Sequence, residues 1–168
     1  MDASKVFYES LEKEFLSWAQ SMEDIRAAFV VGSRARKNHP ADEWSDMDII
    51  FYTSNPKKYL STSQWITKLG PLSTSFVYET AGGEPECLTL FQGGWQVDFV
   101  ILPLENLNYM VEKRIVPQNF YKGVRVLMDK DQIANFIMPA DFTHLCGNNV
   151  TEVSFNQTVN MFWFISIK

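Results

Sequence analysis

The chain runs Ala27-Ala28-Phe29-Val30-Val31-Gly32-Ser33-Arg34-Ala35-Arg36 and then, with twelve residues between it and Ser33, Asp46-Met47-Asp48-Ile49-Ile50. The first run is short, apolar and closed by a glycine, which predicts a strand buried on both faces, from Ala27 to Val31. The second is rich in β-formers and extends from Met47 to Thr53, where Ser54-Asn55-Pro56 stops it, and it reads as another strand. Side chains alternate along a strand, so Asp46 and Asp48 share a face, with Met47 and Ile49 opposite. Two like charges placed this way repel unless something neutralises them. Mg²⁺ is the simplest candidate, since it takes hard oxygen ligands from one or two carboxylates, phosphates and water.

A third carboxylate joins them from further along. Asp98 is the only charge in the predicted strand 95–102 and lies between Val97 and Phe99. There it is costly unless paired, metal-bound or at the strand's edge, and a third metal ligand is the economical reading. The Gly32-Ser33 turn offers a close backbone approach, a hydroxyl and backbone amides at the start of a predicted helix, all suited to phosphate. Arg34 and Arg36 are near enough in sequence to add positive charge. A lone Asp-x-Asp is usually a solvated pair and a lone Gly-Ser usually a turn; their conjunction, in this order, points to metal-assisted attack on a nucleoside triphosphate.

Outward from this core, Phe7, Leu11, Phe15 and Trp18 recur at helical spacing and predict an amphipathic helix over about residues 3–20. A second helix is expected over 57–69, ended by Gly70-Pro71, and a third over about 104–113. Further strands are expected at 73–79, 87–91, 95–102 and around 124–128, with Gln92-Gly93-Gly94 joining two of them as a hairpin. The order α-β-β-α-β-β-β-α-β indicates an α+β domain with a mixed sheet. Residues 131–154 read as a connecting stretch. Residues 155–168, with Phe155, Val159, Phe162, Trp163 and Ile165, read as a helix whose apolar face packs back on the domain or is covered by another chain, a partner or a second copy in a homodimer.

Composition bounds the function. With 168 residues and 46% of them apolar, the chain can bury a core without disulfides or metal staples. The formal charge of -5 argues against sequence-independent nucleic-acid binding and favours, weakly, a small cationic partner. No run is long and apolar enough to span a membrane, and the first residues lack the pattern of a signal peptide, so a cytoplasmic location is expected. Cys87 and Cys146 read as buried thiols. His39 reads as solvated and Trp44 as surface cover for a helix rather than a base-stacking platform. Glu79, Glu84 and Glu86 are candidates for contacting amino groups of a cationic sugar or for a general base.

The apolar strand, Gly-Ser, Asp-x-Asp and later strand Asp resemble the nucleotidyltransferase superfamily of the polymerase-β type. More narrowly, Gly32-Ser33-Arg34-Ala35, Pro40-Ala41-Asp42-Glu43, Asp46-Met47-Asp48-Ile49, Val97 to Leu104, Val126 to Asp131 and Asn160-Met161-Phe162-Trp163 resemble the aminoglycoside 6-adenylyltransferases, the streptomycin-modifying enzymes. The resemblance implies a nucleotidyltransferase fold that transfers AMP from ATP to an antibiotic hydroxyl with Mg²⁺. It implies that Gly32, Ser33 and Arg34 bind the nucleotide, that Asp46 and Asp48 hold the metal, and that Asp98 holds the metal or takes the hydroxyl proton. It also implies a catalytic domain over 1–135 and the start of a helical C-terminal domain over 136–168. The alternatives are a nucleotide-binding module inactive without the rest of that domain, and a minimal nucleotidyltransferase acting on a protein or RNA with a partner chain.

Overall fold

The computed structural model describes residues 3–36, 38, 41–80 and 82–137. Helix α1 (Ala3–Ser21) leads into β1 (Ile25–Val31), a one-turn 3₁₀ segment (Gly32–Ala35) and β2 (Met47–Thr53). Helix α2 (Pro56–Leu60) and a 3₁₀ turn (Ile66–Lys68) follow, then β3 (Leu72–Glu79), β4 (Pro85–Phe91) and β5 (Trp95–Pro103). Helix α3 (Leu104–Lys113), a 3₁₀ segment (Gln118–Lys122), β6 (Val124–Asp129) and the short α4 (Ala134–Ile137) complete the described chain. The readings for His39, Pro40, Cys146 and residues 138–168, including the predicted helix 155–168, fall outside the described residues.

The six strands form one sheet in the order β3-β4-β5-β2-β1-β6. Neighbours pair antiparallel except β2 with β5, which run parallel, so the sheet is mixed and the α+β class is as expected. Strands β1, β2 and β5 occupy the middle and are buried along almost their whole length, which is why they read as continuous apolar runs.

Each face of the sheet carries a core. On the first, the stripe of α1 (Tyr8, Leu11, Phe15, Trp18) meets Val30, Ile49, Phe51 and Phe99. Tyr59, Trp65 and Ile66 close over it, with the Trp18 and Trp65 rings stacked 4.9 Å apart. On the second face, Phe29, Ile50, Tyr52 and Leu102 pack against Leu107 of α3, Phe120 and Ile137. Aromatic burial on this scale contributes several kcal/mol per ring pair and its surroundings. The second face of the outermost strand is not covered in the same way, and Phe76 and Tyr78 are exposed there.

The structure departs from expectation in three places. The predicted helix 57–69 breaks after Leu60: Thr62 Oγ1 accepts the Gln64 amide, and the Trp65 indole donates to the Tyr59 carbonyl at 2.9 Å, folding the second half back as a 3₁₀ turn. Ser-Thr-Ser offers side-chain alternatives to helical hydrogen bonds, and the indole uses the carbonyl that a continuing helix would need. The segment opened by Gly32-Ser33 is a four-residue 3₁₀ turn rather than a helix, because the extended Arg36 ends it and Arg36 Nε donates to the Lys122 carbonyl at 2.7 Å. Finally, the predicted connecting stretch contains α4, whose entry is capped by Asp129 accepting the Ile133 and Ala134 amides.

Candidate active site

The parallel pairing of β2 and β5 aligns Asp48 with Asp98, side by side on the same face. Asp46 lies one residue before β2 begins and reaches the same point from the loop. Each of the three offers a carboxylate oxygen, and these oxygens all lie within 4.8 Å of one another. The sequence placed Asp46 and Asp48 together by periodicity; strand order brings in Asp98.

Asp98 is 6% exposed. Its Oδ2 accepts the Gln96 side-chain amide at 2.9 Å, while Oδ1 is buried and has no hydrogen-bond partner among the described residues. Burial, with the nearby charges of Glu86, Asp48 and Asp46, pushes its carboxyl up to about 8, against the help of the Gln96 donor. Asp48 is pushed up to about 7 by burial and by Asp46 and Glu86, in spite of the cations Arg36 and Lys122. A divalent cation removes the cost of holding such a cluster ionised. The donor set, hard oxygens with one buried and unsatisfied, fits Mg²⁺.

Gly32 adjoins this cluster and has φ +72°; a Cβ there would lie 2.8 Å from Asp48 Oδ2. Only glycine tolerates both the conformation and the approach. Its amide donates to the Gly123 carbonyl at 2.9 Å, which ties the turn to the chain just before β6. Gly123 is constrained in return, with φ +127° and a Cβ position 2.8 Å from the Gly32 carbonyl oxygen. Ser33 Oγ is buried without a hydrogen-bond partner among the described residues and faces a groove of about 360 Å³ that Lys5, Arg36 and Arg125 also line.

Arg34, expected to add charge near the Gly-Ser turn, lines the groove that Ser33 faces and also contacts the chain just before β2. Its Nε lies 3.2 Å from the Ser45 carbonyl and 3.0 Å from that of Asp46, its Nη2 donates to Ser45 at 2.5 Å, and its guanidinium lies 3.5 Å over the Tyr8 ring. Trp44 covers nothing: it is 85% exposed and lines a second groove of about 630 Å³ with Asp46, Tyr8 and Trp95. Of the three glutamates considered, Glu86 shares the face and neighbourhood of Asp98, since Leu88 pairs with Asp98 and Glu86 stands two residues away on β4. Burial and the charges of Asp46 and Glu84 raise its carboxyl. Glu79 and Glu84 are exposed. Cys87 is buried, as read from the sequence.

Sequence reasoning missed Tyr8, Gln96 and Gly123. Tyr8 was hidden in an apolar helix stripe. Gln96 had a signal, standing two residues before Asp98 and so on its face, and Gly123 offered only a glycine just before the expected strand at 124–128.

Fold and site together define an α+β domain that gathers three carboxylates and a glycine-serine turn at one end of a mixed sheet. The family model described as streptomycin adenylyltransferase matches residues 8–168. An aminoglycoside 6-adenylyltransferase of Bacillus subtilis (strain 168) is 25% identical over 160 residues, covering 90% of this chain and 54% of that protein. One from Campylobacter jejuni is 28% identical over 156 residues, covering 88% of this chain and 51% of the other. A crystal structure of an aminoglycoside 6-adenyltransferase from Bacillus subtilis gives a TM-score of 0.45 at 17% identity, over 61% of this chain and 38% of that one. The chain belongs to the streptomycin adenylyltransferase family, and it spans about half the length of the curated relatives it matches.

Proposed function

We propose that this chain carries the nucleotidyl-transfer half of an enzyme that moves AMP from Mg-ATP to a hydroxyl of an aminoglycoside such as streptomycin, acting in the cytoplasm, with residues 1–135 as the catalytic domain. The observation that carries the reading is the convergence of Asp46, Asp48 and Asp98 against the Gly32 turn. Family membership supports the donor and acceptor classes. Asp46, Asp48 and Asp98 hold the cation, which when bound offsets their charge and that developing on the phosphates.

In this reading the turn at Gly32 lets the backbone approach the triphosphate, and Ser33 Oγ donates to a phosphate oxygen. Arg34 and Arg36 add positive charge to the groove that Ser33 faces, where Lys5 and Arg125 are set against Glu9 and Glu12. The acceptor oxygen attacks the α-phosphorus, the bond to the bridging oxygen breaks, and pyrophosphate leaves with the electron pair. Asp98 takes the acceptor's proton, a role that its buried Oδ1, without a hydrogen-bond partner among the described residues, supports. Glu86, on the same face, supplies negative charge toward a cationic acceptor.

Calorimetric titration of the chain with a non-hydrolysable ATP analogue and Mg²⁺, with and without streptomycin, tests this. Metal-dependent nucleotide binding that is lost in both Asp46→Ala and Asp48→Ala is the expected result. Unchanged affinity in both variants would overturn the site assignment.

A further inference from the structure

We propose that Arg34, Tyr8 and Gln96 form a brace that fixes Asp46 relative to Asp98, with Arg34 and Tyr8 acting as positioning residues for metal binding. The proposal rests on the reading of Asp46, Asp48 and Asp98 as metal ligands. Those three carboxylates are not held equally. Asp48 and Asp98 sit in register on adjacent strands of the sheet interior, where the backbone ladder sets their spacing. Asp46 precedes the strand, and its position depends on the loop that bears it.

The Arg34 side chain ties that loop to the turn after β1. The Arg34 guanidinium approaches two successive carbonyls, Ser45 and Asp46, through Nε at 3.2 and 3.0 Å and adds Nη2 to Ser45 at 2.5 Å. A planar fork can meet both acceptors at once, whereas an ammonium on a flexible stem cannot reproduce that geometry. The fork is itself fixed by lying 3.5 Å over the ring of Tyr8, a residue 4% exposed within the core under α1.

Tyr8 continues the connection. Its hydroxyl donates to the Gln96 carbonyl at 3.1 Å, and the Gln96 side chain donates to Asp98 Oδ2 at 2.9 Å. Contacts therefore run from the Asp46 backbone through Arg34, Tyr8 and Gln96 to the Asp98 carboxylate, and they do not depend on an ion. Three like charges without a cation repel, and the one borne on a loop is the one free to retreat. A brace that holds it in place preorganises the cluster for the cation, as outer partners of metal ligands commonly do.

Mn²⁺ is a suitable probe, followed by its electron paramagnetic resonance on the full chain well below the unfolding temperature. Wild type, Arg34→Lys, Tyr8→Phe and Asp46→Asn are compared with Arg26→Lys, which alters an arginine bonded to Asp131 at the far end of β1. Arg34→Lys is expected to bind about tenfold more weakly than wild type, the scale of lost outer-partner support. Its bound-ion spectrum should approach that of Asp46→Asn, and Arg26→Lys should bind as wild type does. Tyr8→Phe keeps the buried ring and the fold and should weaken binding about threefold, the lower end of a single hydrogen bond's net worth. Wild-type affinity and spectrum in both Arg34→Lys and Tyr8→Phe would refute the brace while leaving the metal reading intact. Absence of Mn²⁺ binding by wild type would refute the metal reading itself, and the brace with it.

Discussion

Replacing Asp98 by asparagine should stabilise the metal-free chain at neutral pH and leave it almost unchanged in mild acid. The carboxyl is raised to about 8 in the folded chain, against about 3.9 when unfolded. The folded state therefore holds a proton that the unfolded state releases, and stability falls as pH rises between those two values. One group in that window costs about 1.4 kcal/mol per pH unit. From pH 5 to pH 7, Asp98 alone removes about 2.7 kcal/mol, and Asp48, raised to about 7 for related reasons, adds to the loss. Burial is the largest cause for both, so the two losses largely add and the wild-type decline should be about 4–5 kcal/mol, a large part of a stability of roughly 5–15 kcal/mol. An amide at position 98 removes its own ionisation and relieves Asp48, and the variant should exceed wild type by about 2 kcal/mol or more at pH 7. Urea unfolding followed by tryptophan fluorescence, in a chelator at pH 4.5 and 7, measures both differences. Millimolar Mg²⁺ should restore wild type at pH 7 and do little for the variant, because only the former gains a ligand by ionising. A wild-type stability that is flat between the two pH values, or an equal slope in Asp98→Asn, would show that the buried carboxylates do not carry the stated cost.

Gly32→Ala should lose about 1–2 kcal/mol in the same unfolding assay and weaken Mg-nucleotide binding more than it weakens the fold, since φ +72° and the 2.8 Å approach to Asp48 both resist a Cβ. Asp24 is different in sign from Asp98: burial works against its charge, but Lys58, Tyr59 and Thr53 hold its carboxyl below the ordinary range. Its contribution is present above about pH 4 and is lost as pH falls through the lowered value, so Asp24→Asn should cost about 1–2 kcal/mol at pH 7 and little at pH 2, checked by thermal unfolding. Trp65→Ala, which removes the ring stacked on Trp18 and the indole bond to Tyr59, should cost about 3–5 kcal/mol in urea, and a loss below 1 kcal/mol would contradict the packing described.

Much of the architecture follows from local pattern. Strands β1, β2 and β5 were legible because burial on both faces demands unbroken apolar runs, and α1 because one apolar stripe recurs every three or four residues. The break after Leu60 was not, since it depends on Trp65 finding the Tyr59 carbonyl and a hydrophobic site under α1. The carbonyl contacts of Arg34 were not legible for a similar reason: proximity in sequence to a phosphate-like turn says nothing of which carbonyls a long side chain will meet.

The sequence by itself determined the class of the fold, the glycine-serine turn and the pairing of Asp46 with Asp48, because strand burial, positive φ and side-chain alternation are properties of a few neighbouring residues. Tertiary structure alone decided how Asp98, singled out in the sequence as a third carboxylate, comes beside the other two, that Glu86 faces it while Glu79 and Glu84 stay exposed, and that Tyr8 links its two sides. Those outcomes depend on β5 lying parallel to β2 in one register, and on a helix at the start of the chain packing across both strands. Such relations join residues some fifty to ninety positions apart, and no local pattern encodes them.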